Sequence, residues 1–253
     1  MLACRRVNQP TSSASRPRPK VHPPEWSPEQ VSAFWDNYGS IPHFRARMFS
    51  LAWGYGILEF ADRFIPRQGL VLDYGCGRGD LMEAMLGGGR TCMGCDSSPD
   101  SLRTVDQRFA GNPHFLGTFP TPPQLPRVPD VITLVEVIEH LPPAAAKDFL
   151  TSIGALLPPG GHIVITCPNK EDLLASEVLC PECGCCFHAV QHLQSLAPAD
   201  VAALAGSAGF RTVFAGATRF RKNGESGLRR AILAGWYSLF GKPPHLCYVG
   251  QKT

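Results

Sequence analysis

Residues 69–80 read GLVLDYGCGRGD, an apolar run that ends on Asp73 and breaks into a loop with glycines at 75, 77 and 79. A short apolar run bounded by glycine is a buried strand, and a strand buried on both faces belongs to a parallel sheet covered by helices. The rest of the chain keeps that rhythm. A helix through LMEAML precedes a second strand, TCMGCD (91–96), and a helix from Pro99 to about Phe109 follows. HFLGTF is a third strand and DVITLVEV (130–137) a fourth; a helix over about 144–157 and the turn PPGG lead into the strand HIVITCP. APADVAALAGSAGF then reads as a helix with Asp200 in its first turn, RTVFAGA as a strand, and HLCYVGQK as the last strand. Strands alternating with helices predict an α/β chain with a doubly wound, mostly parallel seven-stranded sheet and helices on both faces.

Ahead of that core, Ser27 is a helix cap with Pro28 in the first turn, and residues from Pro42 to Arg63 have helical spacing. Residues 1–25 carry Arg5, Arg6, Arg16, Arg18 and Lys20 with five prolines and one acidic residue, Glu25, and are expected to be a disordered basic tail. One domain should then span 26–253, with a helical cover (26–68), a Cys/His-rich lid insert (170–197) and a helical insert (221–243).

The net charge is +3, but the tail supplies all of the excess, so the body is close to neutral and lacks the basic surface of a nucleic-acid binder. No stretch reaches the roughly 18 apolar residues of a membrane span, and the N-terminus has no apolar signal region. Ten cysteines without a secretory signal point to a reducing, cytoplasmic setting, where clustered cysteines bind metal more often than they pair. In the helical insert, GLRRAILAGWYSLFGK is compatible with packing on the sheet, with a cover over a lipophilic acceptor, or with peripheral contact with a membrane surface.

The glycine loop sits where a ligand meets the N-terminus of the next helix. It is not the dinucleotide pattern, because Asp80 replaces its third glycine. Asp73 ends the first strand, where a carboxylate suits a cationic group, and Asp96 ends the second, where it can accept ribose hydroxyls. In order, VLDYGCGRGD, GCD, DVITLVEVIEHL and LLPPGGHIVITCPN resemble the motifs of class I S-adenosylmethionine-dependent methyltransferases, a Rossmann-like fold, over roughly residues 40–220. The resemblance implies that Gly75, Cys76, Gly77 and Gly79 cradle the methionine part of the cofactor near Asp73. Asp96 would bind the ribose, Ser97 would lie by the adenine, and Val135 would line the site. Many members carry an acidic residue after the third strand to bind the adenine amino group; it is missing here, and the resemblance leaves that contact to Thr118 or to a backbone group.

EVIEHL offers Glu136, Glu139 and His140 just beyond the fourth strand, two carboxylates and an imidazole suited to a divalent ion such as Mg2+ or to acid–base work. The E-x-x-E-H spacing is similar to that of ubiquinone-pathway O-methyltransferases and of small-RNA 3′-end 2′-O-methyltransferases. In both, the resemblance implies a metal that acidifies the acceptor hydroxyl; in the former it also implies a cofactor contact from Arg47, with Arg45 as a neighbouring rival. The same spacing also suits a histidine that borders the acceptor pocket without metal.

CPECGCCFHAVQH (180–192) holds four cysteines and two histidines. Cys180, Cys183, His188 and His192 have the spacing of a structural zinc knuckle. Two other readings stay open: His188 or His192 completing the site begun by Glu136, as a distal histidine does in the small-RNA enzymes, or reduced thiols without metal. The expected function is methyl transfer from S-adenosylmethionine to a small-molecule acceptor, at oxygen rather than nitrogen or carbon. Its rivals are an RNA 2′-O-methyltransferase and a non-catalytic zinc-binding protein on the same fold.

Overall fold

The computed structural model describes residues 26–181, 186–227, 229, 232–233, 241 and 243–253. The expected tail, Cys183 and, in the helical insert, residues 228, 230–231, 234–240 and 242 lie outside the described residues. Helix α1 (Pro28–Ser40) opens on a capping box, with Ser27 and Gln30 exchanging side-chain and backbone hydrogen bonds. The stretch expected as one helix from Pro42 divides into α2 (Pro42–Arg45) and α3 (Phe49–Ala61). Arg45 closes the short helix and turns its guanidinium onto Asp80, and the chain makes a tight turn through residues 46–48 before α3 begins. Gly56 in α3 lies against the backbone of Arg221, where a Cβ would come within 2.1 Å of a carbonyl oxygen.

The core elements follow as β1 (Leu70–Tyr74), α4 (Asp80–Gly87), β2 (Thr91–Asp96), α5 (Pro99–Arg108), β3 (Phe115–Pro120) and β4 (Val131–Val135). A 3-10 turn at Ile138–His140 leads to α6 (Pro143–Ala155) and β5 (His162–Pro168). The insert then forms a second 3-10 turn (Leu173–Ser176) and a small hairpin of β6 (Glu177–Leu179) and β7 (Cys186–His188). Helix α7 (Pro198–Ser207), β8 (Phe210–Thr218) and β9 (His245–Lys252) complete the chain.

Seven strands form one sheet in the order β3-β2-β1-β4-β5-β9-β8, with only the β5–β9 and β8–β9 pairs antiparallel. Alternate side chains feed two cores. Val71, Val131 and Val164 pack with α3, α4 and Val105 of α5. Leu72, Ile132, Leu134, Ile163 and Ile165 pack with α6 and α7 on the other face. Each such fully buried aliphatic side chain contributes about 1.5–3 kcal/mol, so the central strands are the most strongly held part of the molecule.

This order fixes the site. From β1 the chain winds outward through β2 and β3, then crosses back to place β4 on the other side of β1. The crevice at such a switch point, beyond the carboxyl ends of the strands, is where open α/β sheets bind ligands. The glycine loop leaves the end of β1, and the E-x-x-E-H segment leaves the end of β4. Topology therefore puts these two motifs side by side.

Candidate active site

Two backbone hydrogen bonds, from the Gly75 and Cys76 N–H groups to the Cys95 carbonyl (2.8 and 3.0 Å), tie the glycine loop to β2. Gly75 and Gly79 both have φ of +80°, and a Cβ there would press Val137 and Phe109 at 2.7 and 2.8 Å. Gly77, at φ +50°, has only Met48 near its Cβ direction, at 3.9 Å, so backbone is left bare for close approach of a ligand. Asp96 accepts from the N–H groups of Gly77 (2.8 Å) and Ser98 (2.9 Å) and so fixes loop and second strand together. Ser97 next to it is exposed.

Asp73 is buried and accepts the Thr133 hydroxyl at 2.7 Å. Burial pushes its carboxyl up from 3.8 to about 7, and a cationic group beside it would stabilise the charged form. Cys76 is a buried thiol beside Gly94 and Met82, and burial raises its pKa well above the ordinary value. Val135 is buried at the end of β4. Arg47 is exposed on the turn between α2 and α3, whereas Arg45 is engaged by Asp80, which also takes Arg108 at 3.1 Å. The Thr118 hydroxyl donates to Asp106 of α5 at 2.9 Å, which orients its oxygen.

Across the crevice, Glu136 holds φ at +54°, a backbone state costing on the order of 1–3 kcal/mol for a non-glycine residue. Its Oε1 accepts the Thr166 hydroxyl at 3.0 Å, and burial lifts its pKa to about 7. Glu139 is only 1 % exposed, and neither carboxylate oxygen has a hydrogen-bond partner. Burial, reinforced by the charge of Glu136, pushes its pKa well above the ordinary carboxylate range. His140 is held neutral, its pKa lowered to about 3 chiefly by burial. Its Nδ1 lies 3.3 Å from the Gln191 carbonyl. A carbonyl only accepts, so Nδ1 carries the proton and Nε2 presents a lone pair. The Trp35 ring of α1 packs edge-on against this imidazole at 5.1 Å.

The insert closes the arrangement. Leu193 and Gln194 donate backbone N–H groups to the Glu139 carbonyl (2.8 and 3.2 Å), and the Gln194 amide donates to Leu141 O at 2.7 Å. These bonds bring His192 against His140, with ring centroids 4.8 Å apart. Glu139, His140 and His192 form one group of convergent donor atoms; Glu171, His188 and His192 form another. Neither group includes Cys180, and Cys183 of the expected Cys180, Cys183, His188 and His192 knuckle lies outside the described residues. The two histidines face carboxylates from the turn after β4 and from just beyond β5. Glu171 was absent from the sequence reading; a carboxylate just past a parallel strand, three residues beyond Pro168, was its only signal.

A methyltransferase domain model matches residues 44–214, more than half of the chain. Among curated relatives, the ubiquinone biosynthesis O-methyltransferase of Vibrio parahaemolyticus is 29% identical over 161 residues, 56% of this chain and 60% of that protein. The same-named enzyme of Cupriavidus pinatubonensis is 28% identical over 170 residues, 64% of this chain and 65% of that protein. The matches thus span a little under two thirds of these relatives. Among solved structures, Burkholderia thailandensis 1,6-didemethyltoxoflavin-N1-methyltransferase, bound to its substrate and S-adenosylhomocysteine, aligns with TM-score 0.61 and 19% identity, covering 98% of this chain and 93% of that one. An S-adenosylmethionine-dependent methyltransferase from Clostridium acetobutylicum aligns with TM-score 0.59 and 13% identity over 87% of this chain and 98% of that one. The glycine loop, the seven-stranded sheet with its one reversed strand, β9, and the family match agree: the chain belongs to the methyltransferase domain family and has the fold of its S-adenosylmethionine-dependent members.

Proposed function

We propose that this chain transfers the methyl group of S-adenosylmethionine to a hydroxyl oxygen of a small-molecule acceptor. The cofactor would lie along the bare backbone of Gly77, its ammonium toward Asp73 and its ribose at Asp96. The acceptor would enter from the Glu136–His140 side, against Trp35. In the transfer, the acceptor oxygen attacks the methyl carbon and the C–S bonding pair stays on sulfur, releasing S-adenosylhomocysteine; the hydroxyl proton passes to a base at the site. The curated relatives are O-methyltransferases, which supports oxygen as the methylated atom.

The observation that carries this reading is Glu139. A buried carboxylate with two unpartnered oxygens is costly, and the His140 Nε2 lone pair faces it at 4.0 Å, with His192 Nε2 at 3.9 Å. This donor set fits a divalent cation, held by Glu139, His140 and His192 with Glu136 beside them. Two imidazoles favour a borderline ion such as Zn2+ over the Mg2+ suggested by the carboxylates alone, while the carboxylates also suit the harder Mn2+. Such an ion would lower the pKa of the acceptor hydroxyl. The protein's own part is to hold the imidazoles neutral, orient the donors and keep water from the buried carboxylates.

The joining of His192 to the E-x-x-E-H segment also favours a second acceptor, the terminal ribose of RNA, because the small-RNA enzymes share that arrangement. A labelled-methyl assay distinguishes the two. The purified chain is given S-adenosylmethionine with a catechol, a secondary amine or a short RNA, with and without chelator, and products are read by mass spectrometry. Chelator-sensitive methylation of the catechol oxygen is expected. Methylation confined to the amine would overturn the reading, and salt-sensitive methylation of RNA would replace the acceptor class.

A further inference from the structure

His188 and His192 differ in what their ring nitrogens can do, and the difference follows from hydrogen bonding. His188 Nδ1 accepts backbone N–H groups from His192 (3.1 Å) and Val190 (3.4 Å). A neutral imidazole that accepts at Nδ1 carries its proton on Nε2. That Nε2 is buried, lies 3.4 Å from Glu171 Oε1 and has no well-formed hydrogen bond. His188 therefore offers no second lone pair to a metal; it aims an N–H at Glu171. The other oxygen of Glu171, Oε2, is hydrogen-bonded to His192 Nδ1. A carboxylate accepts, so His192 carries its proton on Nδ1 and its Nε2 lone pair points at Glu139. The rings of His188 and His192 are stacked at 4.5 Å and 16°, which holds them in this relation.

We propose that Glu171, itself oriented by His188, is a positioning residue that fixes His192 in the Nδ1–H form and so presents its Nε2 to the cation site of Glu139 and His140. The proposal rests on the cation reading given above for its purpose, but not for its geometry. Histidines that bind metal commonly donate their other N–H to a carboxylate, and loss of that partner costs about 10–100-fold in affinity. Here the partner comes from the end of β5 and its support from the hairpin strand β7, so the insert acts on the site through one proton. Backbone conformation matches this: Lys170 and Gln191, neighbours of Glu171 and His192, hold positive φ of 51° and 62°, strained positions that concentrate at functional sites.

The test uses the full chain and two readouts. Imidazole nitrogen NMR of the metal-free protein reports the tautomer of each histidine, and calorimetric titration with Mn2+ reports the cation site. Wild type should show His192 protonated on Nδ1 and His188 on Nε2. Glu171→Leu should release the His192 preference and weaken Mn2+ about 10–100-fold, while S-adenosylmethionine affinity is retained and reports intact folding. Glu171→Gln, which keeps one acceptor oxygen, should lose less. His188→Asn, whose shorter side chain can accept the backbone N–H groups but does not reach Glu171 with an N–H, should weaken Mn2+ less than Glu171→Leu does but measurably, and serves if Glu171→Leu does not fold. Unchanged Mn2+ affinity in Glu171→Leu, or His192 protonated on Nε2 in wild type, would overturn the proposal. If wild type binds no Mn2+ yet its His192 tautomer depends on Glu171, the cation reading fails and the positioning role stands.

Discussion

Gly79 shows how narrowly single residues define the crevice. Its φ of +80° disfavours any side chain, and a Cβ would also meet Phe109 at 2.8 Å and Val105 at 3.2 Å. Gly89 has a similar φ of +74° with open space around it. Gly89→Ala should therefore cost about 1 kcal/mol from backbone alone, and Gly79→Ala clearly more, on the order of 2–4 kcal/mol once the ring must shift; urea melts of both variants measure the difference. Asp73 makes a pH-dependent prediction. Burial raises its pKa in the folded state from 3.8 to about 7, so the unfolded chain gives up this proton at lower pH than the folded chain does. The stabilisation is complete below about pH 4 and lost as pH rises through 7, at up to about 1.4 kcal/mol per pH unit. Melts of the cofactor-free protein at stepped pH should show that fall, and Asp73→Asn should flatten it. The loop glycines were legible in the sequence because their positive φ demands them, and Asp73 was legible as the one charge in an otherwise apolar strand. Glu171 was not, because its meaning depends on a histidine 21 residues away.

Elements were legible where periodicity governs them. The seven strands and the helices between them were read from apolar runs and glycine turns. The break between α2 and α3 was missed, because the ion pair of Arg45 with Asp80 lies across the fold and leaves no trace in spacing. In the insert, C-x-x-C followed by two histidines has zinc spacing, and sequence leaves open whether the histidines belong to that set or to the Glu136 site. Among the described residues Glu139 and Glu171 approach the histidines from other elements. What anchors the insert is a short set of bonds to the 138–141 turn, among them the Gln194 amide on Leu141 O. Gln194→Ala should cost about 1–2 kcal/mol and expose the Lys170–Gln194 stretch to faster hydrogen exchange, leaving the central strands protected. Equal protection throughout would show that the insert is held by something else.

At the scale of the molecule, the sheet order explains why two motifs separated by some sixty residues face each other. Winding outward from β1 and back to β4 opens one crevice, and both motifs lie at its lip. The helical cover closes it with Trp35 on His140, and the insert closes it with His192. Among the described residues no helix is long and apolar enough to cross a membrane. In the proposed function, S-adenosylmethionine binds at this crevice by the glycine loop and Asp96 and gives its methyl group to an acceptor beside Glu139. Calorimetric titration of S-adenosylmethionine onto wild type, Asp96→Ala and Glu139→Gln tests it most directly, followed by a methyl-transfer assay on the same samples. Wild type should bind one equivalent, Asp96→Ala should bind at least about tenfold more weakly, and Glu139→Gln should bind normally yet transfer no methyl group. Absence of binding by wild type, or equal binding by Asp96→Ala, would contradict the account.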